Sequence, residues 1–212
     1  MMGRTRKGAK QMPKIQFWYD FASTYSYLSA MRIECMAAEA GVDIEWRPFL
    51  LGPTFAARGW NTSPFNIYPA KGWHMIRDIE RICADRGLQP FRLPDPFPQN
   101  SLKAARLALI GADAGWAPAF SRAVFGLQFG EGASLTDAVL AQALTAAGQD
   151  AEARMSQAQG ADIKARLKTQ NDNAQALGIF GAPTFIIPSG ELFWGDDRLE
   201  QALAWTLAWN LR

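Results

Sequence analysis

Two serines three residues apart, Ser23 and Ser26, stand in the segment Asp20-Phe21-Ala22-Ser23-Thr24-Tyr25-Ser26-Tyr27. A short apolar run, Ile15-Gln16-Phe17-Trp18-Tyr19, precedes them, and a stretch with helical spacing follows. Their spacing is that of a Cys-x-x-Cys redox motif, with serine in both cysteine positions. A hydroxyl at a strand-to-helix junction lies where the unpaired amides of the first helical turn point outward. Those amides and the helix dipole favour a negative charge by ~0.3–1 kcal/mol. Such a junction can hold a thiolate but cannot supply one. The thiol would have to come from outside the chain. Serine is also a preferred N-cap, so Ser23 suits a purely structural role equally well.

The chain's own thiols are Cys35 and Cys83. Cys35 lies twelve residues past Ser23, ~18 Å along a continuous helix. Its spacing from Tyr25, Leu28 and Met36 predicts a place on that helix's apolar face. Cys83 falls in a stripe with Ile76, Ile79 and Ile82, so both are expected as core side chains. Two widely spaced cysteines build no disulfide framework, which suits a reducing, cytoplasmic compartment. His74 is the single histidine. Without a second histidine or a cysteine at ligand spacing, no metal site is expected. There is no Gly-rich phosphate loop.

With 212 residues the chain can bury a substantial core. Hydrophobic residues make up 49% and charged residues 20%, and no run of about 18 apolar residues predicts a membrane span. The formal charge of +2 misleads, because Arg4, Arg6, Lys7, Lys10 and Lys14 cluster near the start with no acidic residue among them. Without those five, 17 basic and 20 acidic side chains leave a net charge of −3. That body has no electrostatic footprint for nucleic acid. The basic leader, 1–13, is expected to be a disordered tail.

The elements that must position Ser23 read as follows. Ile15 to Tyr19 is a buried strand, Thr24 to Ala40 a helix closed by Gly41, and Asp43 to Arg47 a second strand ending at Pro48. Together they form a βαβ unit, which implies parallel pairing. Leu50 to Ala70 reads as a long irregular loop, and loops of that length are usually functional. Helices are predicted over Gly72–Arg86, Ser101–Ala114, Ala117–Phe129 and Leu135–Ala147, with the stiff connector Leu93 to Pro98 between the first two. A helix over Ile163–Leu177 follows. Then come two strands, Thr184–Ile187 and Glu191–Trp194, joined at Pro188-Ser189-Gly190. Asp197 and Glu200 have capping-box spacing at the start of a last helix. The order βαβ, helical block, αββα predicts an α/β, thioredoxin-like fold with an all-helical insertion domain. Residues 14–50 and 162–212 would form the thioredoxin-like part and 51–161 the loop and insertion.

Three separated motifs carry a family resemblance: Asp20 to Leu28 with Arg47-Pro48, Phe180-Gly181-Ala182-Pro183-Thr184, and Phe193-Trp194-Gly195-Asp196-Asp197-Arg198-Leu199. In this order, from about Lys14 to the end, the chain resembles the 2-hydroxychromene-2-carboxylate isomerases. Those belong with the kappa-class glutathione transferases among the DsbA-type proteins. Relatives often have proline after the serine where this chain has Thr24. Proline is merely favoured at a first helical position, so the departure matters little.

The resemblance implies glutathione as cofactor, its sulfur beside Ser23 as the catalytic serine. It implies a cis bond between Ala182 and Pro183, with the main chain of Ala182 pairing to the peptide-like cofactor and Gly181 allowing close approach. Asp196 and Asp197 would hold the γ-glutamyl end, whose ammonium suits an aspartate and whose carboxylate suits helix amides. Asn66 and Lys71 match family contacts in the long loop. The implied partners are glutathione and a small aromatic or electrophilic substrate, within a homodimer. The function so implied is glutathione-dependent isomerisation of an aromatic carboxylate or enone. A kappa-like transferase forming conjugates and a non-catalytic glutathione or peptide binder are the alternatives.

Overall fold

The computed structural model of the chain describes residues 12–59 and 67–210. Four strands make one mixed sheet: β1 (Lys14–Tyr19), β2 (Asp43–Pro48), β3 (Thr184–Ile186) and β4 (Leu192–Trp194), in the order β2-β1-β3-β4. β2 runs parallel to β1, from Lys14 opposite Asp43 to Tyr19 opposite Pro48. β3 is antiparallel to β1 and β4 to β3. The βαβ unit and the terminal hairpin are thus as the sequence predicts.

β1 is an inner strand covered on both faces, which is why Phe17-Trp18-Tyr19 does not alternate with polar residues. Ile15, Phe17 and Tyr19 point into the larger core, while Trp18 packs on the other face with Phe49, Ala174, Ile179 and Ile186. On the larger side Phe17 stacks on Phe185 at 5.6 Å, and Tyr19 donates to or accepts from Ser121 Oγ at 2.8 Å. The helices are α1 (Thr24–Ala30), α2 (Ile33–Ala40), α3 (Leu51–Ala56), α4 (Pro69–Asp85), α5 (Leu102–Ala114), α6 (Ala117–Phe125), α7 (Asp137–Ala146), α8 (Ala151–Gln157), α9 (Ala161–Ala176) and α10 (Leu199–Asn210). A π-helical turn, Gly126–Gly130, extends α6, and a 3-10 turn, Asp196–Arg198, precedes α10.

Several expectations need correction. The single helix predicted over Thr24 to Ala40 is two, broken at Met31 and Arg32. Arg32 leaves the helical path at φ −128°, and its side chain binds Asp196. The buried face of α2 runs through Ile33 and Ala37, so Cys35 lies exposed rather than in the core, whereas Cys83 is buried as predicted. The stretch after Leu50 is less irregular than expected. α3 occupies its start, and α4 begins at Pro69, where a first-turn proline has no amide to lose. α8 was not foreseen; Asp150 caps it by accepting from Ala153 N at 3.0 Å. The capping box at Asp197 does not form, because Glu200 turns to Arg32 instead. Among the described residues no helix is long and apolar enough to cross a membrane.

Candidate functional site around Ser23 and the Ala182–Pro183 bond

Ser23 sits at the end of the turn that follows β1, in extended conformation, and caps α1 by accepting from Ser26 N at 3.1 Å. Its hydroxyl donates to the carbonyl oxygen of Ala182 at 2.9 Å, across 159 positions of sequence. The Ala182–Pro183 peptide bond is cis. Capping and contact with the Ala182 main chain thus coexist in one side chain. Ser23 is 8% exposed, low enough to weaken competition from water and open enough for a ligand atom to reach it. Ser26 Oγ is buried without a hydrogen-bond partner and takes no part in this exchange.

The turn that carries Ser23 is held by Asp20, a residue the sequence reading passed over. Its two carboxylate oxygens accept from Ala22 N at 2.9 Å and from Leu51 N at 2.7 Å. Burial pushes its pKa up, and its hydrogen bonds to Ala22, Leu51 and Ser101 pull the other way. Between the ordinary aspartate range and that raised value, the folded chain holds a proton the unfolded chain lacks. Stability contributed here therefore falls as pH rises through that window. Asparagine offers one acceptor for two amides, so Asp20→Asn is expected to lose ~1–3 kcal/mol. Its melting temperature should also vary less with pH just above the ordinary aspartate range. Thermal melts of both proteins across that range check both points.

Beyond Pro183, Gly195 N donates to Pro183 O at 3.0 Å, which ties the cis bond to the Asp196–Arg198 turn. Gly195 has φ 111°, a conformation open to glycine, and a β-carbon there would meet Asp197 Oδ1. This kink sends the two following aspartates in opposite directions. Asp197 is exposed, with Arg198 at 3.3 Å beside it. Asp196 is 4% exposed and fully engaged. Its Oδ1 accepts from Ser29 Oγ at 2.9 Å and Arg32 Nε at 3.2 Å, its Oδ2 from Arg86 at 2.7 Å. Expected together as partners of one ammonium, the two acids are therefore divided. Asp196 serves the fold and Asp197 faces solvent. Ser29, Arg32 and Arg86 carried no motif signal, so this cluster was not visible in the sequence.

Gly181 lets the Trp194 indole lie against the backbone just before the cis bond. Trp194 packs against Phe180 with ring centres 4.9 Å apart and planes tilted by 58°, and both rings are about half exposed, forming an apolar ledge beside Ala182. On the other side, Thr24 Oγ1 lies 3.3 Å from Met75 Sδ of α4. There Tyr25, Ala70, Lys71, His74 and Met75 line a recess of about 370 Å³. Lys71 is exposed, its ammonium 5.0 Å from the Tyr68 ring centre. The Tyr25 hydroxyl donates to Asp78 at 2.9 Å, and burial, then Asp78, raise its pKa. Asn66 lies outside the described residues. Of the residues singled out from sequence, Ser23 meets Ala182 beside the buried Pro183, the exposed Asp197 lies on the turn tied to Pro183 through Gly195, Lys71 borders the recess at Tyr25, and Asp196 is buried.

Neither cysteine competes for the role of thiol. The hydrogen bond from Cys35 to Glu39 raises its pKa, and burial raises that of Cys83. Both stay protonated at neutral pH, and a thiol is the unreactive form.

The model of the DsbA-like thioredoxin domain matches residues 14–204. A 2-hydroxychromene-2-carboxylate isomerase of Sphingobium xenophagum is 32% identical over 194 residues, covering 88% of this chain and 94% of that protein. Another protein of that name, from Pseudomonas putida, is 28% identical over 190 residues, covering 87% and 90%. Among solved structures, that of a selenomethionine 2-hydroxychromene-2-carboxylate isomerase superposes with a TM-score of 0.78 at 26% identity. It covers 93% of this chain and 98% of the other.

Proposed function

The chain belongs to the DsbA-like thioredoxin family, and from that premise we propose that it is a glutathione-dependent isomerase acting on a conjugated aromatic carboxylate. The observation that carries this reading is the Ser23 hydroxyl bonded to the Ala182 carbonyl beside a cis proline. In the enzymes of this fold that exchange disulfides, the same helix end presents a cysteine. Here the place holds a hydroxyl, and the relatives over most of the chain are isomerases.

An extended peptide laid along Ala182 would donate its amide to Ala182 O. The Ser23 hydroxyl, displaced from that carbonyl, would turn its hydrogen to the cofactor's sulfur. With the first-turn amides of α1 behind it, this donor favours the thiolate over the thiol. Bound there, glutathione would supply a nucleophilic sulfur for reversible addition to a conjugated carbon, chemistry that consumes neither the thiol nor an oxidant, while Ser23 and the first-turn amides of α1 would hold that sulfur in its ionised form. The recess at Lys71 and His74 and the ledge of Phe180 and Trp194 provide apolar and cationic surface for such a substrate.

Asp197 takes the γ-glutamyl ammonium in this reading, alone. Asp197→Ala should weaken glutathione about two- to fivefold, the range of an exposed ion pair worth ~0.5–1 kcal/mol, and leave cysteinylglycine binding unchanged. Calorimetry with both peptides measures it. Equal affinity of the wild type for the two peptides would displace the γ-glutamyl group from Asp197. No binding of glutathione at millimolar concentration would end the proposal itself. Turnover with glutathione far below the substrate concentration distinguishes isomerisation from conjugation, which consumes the thiol.

A further inference from the structure

We propose that the cleft along the outer edge of β2 is a second ligand site, for a small monocarboxylate with an apolar body. The cleft, about 610 Å³, runs between the β2 edge, the α5–α6 corner and one face of α9. It shares no residue with the Ser23 surface or the Tyr25–Met75 recess. Arg47, part of a sequence motif the Ser23 site does not use, lines it together with Gln170.

The argument begins with what α9 spends on this face. Gln170 is 5% exposed, at a helical position whose neighbours Leu167 and Ala174 are apolar core. Its Oε1 accepts a long bond of 3.4 Å from Arg47, but its amide nitrogen has no partner. Arg47 reaches Glu45 at 2.6 Å with one terminal nitrogen, and its Nε is likewise buried and unpartnered. Buried polar groups are nearly always paired, so two orphans on touching side chains call for a shared partner. Both orphans are donors. The partner must therefore bring acceptor oxygens.

The charges facing the cleft set its sign. Arg47 is paired with Glu45 and Arg166 with Asp113, at 2.5 Å. Lys14 is the remaining cation and makes no ion pair among the described residues. One surplus positive charge fits a monoanion. Trp46, Leu109 and Pro118 supply walls for an apolar body. An amide donor and a guanidinium Nε on two side chains already in contact suit the two oxygens of a carboxylate, since charge-assisted bonds of this kind are the stronger ones.

Benzoate is the probe, with benzamide as its neutral isostere, titrated by calorimetry into the full chain with and without glutathione. Saturable benzoate binding in the millimolar range is expected, with benzamide at least about tenfold weaker. Glutathione should neither compete nor enhance. Gln170→Leu and Arg47→Met should each weaken benzoate by about tenfold or more and leave glutathione affinity unchanged. Lys14 is exposed, so Lys14→Gln retains the fold whatever happens to the other two, and should weaken benzoate about two- to fivefold. Equal binding of benzamide, displacement by glutathione, unchanged affinity in Lys14→Gln, or no saturation in the millimolar range would each overturn the proposal.

Discussion

Replacing Ser23 by alanine is expected to lower kcat about 10²–10³-fold while glutathione still binds, the loss that follows removal of one donor aimed at a developing oxyanion. The fold should survive. The helix cap that Ser23 gives to Ser26 N is worth ~1 kcal/mol, and the bond to Ala182 O is replaced when a peptide pairs there. The variant thus separates the two roles that coincide in one hydroxyl. A cap alone predicts a lower melting temperature and unchanged turnover per folded molecule. A thiolate donor predicts the reverse weighting, and in addition a raised pKa for the thiol of bound glutathione. Thiolate absorbance of the complex against pH, measured on both proteins, reads that shift directly. A Ser23→Ala protein with wild-type turnover and thiol pKa would remove Ser23 from the chemistry.

The largest expected effect on stability belongs to Asp196. Asp196→Ala is expected to cost ~3 kcal/mol, the lower end for breaking a buried ion pair. The lower end applies because Arg32 and Arg86 keep 17% and 29% of their side chains in contact with water. Both guanidinium groups then lose a carboxylate partner, although Arg32 retains Glu200 and the carbonyl of residue 196. Denaturant unfolding of Asp196→Ala and Asp197→Ala should diverge sharply. The first loses stability, and its glutathione affinity at low temperature changes only as far as the turn shifts. The second keeps its stability and loses affinity. Equal stability of the two variants would mean that the contacts of Asp196 do not bear load.

The difference between these neighbours shows where sequence reading stops. The Ser23 cap, the parallel β1–β2 pair and the β3–β4 hairpin were legible in the order and patterning of neighbouring residues, whereas the cis Ala182–Pro183 bond was legible only through the family resemblance. A capping hydroxyl and an alternating run act within a few residues of themselves. The break at Arg32 was not legible. Arg32 is an ordinary helix former between apolar residues, and what pulls it out of line is a carboxylate 164 positions away. Cys35 lies exposed because the buried face of α2 passes through Ile33 and Ala37 instead, a choice that the apolar character of Cys35 and Met36 does not reveal. Asp20 escaped notice for a related reason. One of its two backbone partners is near in sequence, and the other belongs to α3. Gly195 gave a signal that could have been used. A glycine directly before two acids marks a backbone kink, and a kink puts consecutive side chains on different sides.

Arg86 closes α4, whereas Asp196 follows β4, and the two meet at 2.7 Å. The helices inserted between β2 and β3 are thus latched to the strand-bearing part through a pair of residues encoded 110 positions apart. A chimera that took its inserted helices from a relative lacking this arginine would leave a buried acid half matched, and one that took only its C-terminal segment would strand the arginine. Inheritance of the substrate-side helices is therefore not modular in this chain: exchanging them by recombination requires carrying both halves of the latch across together.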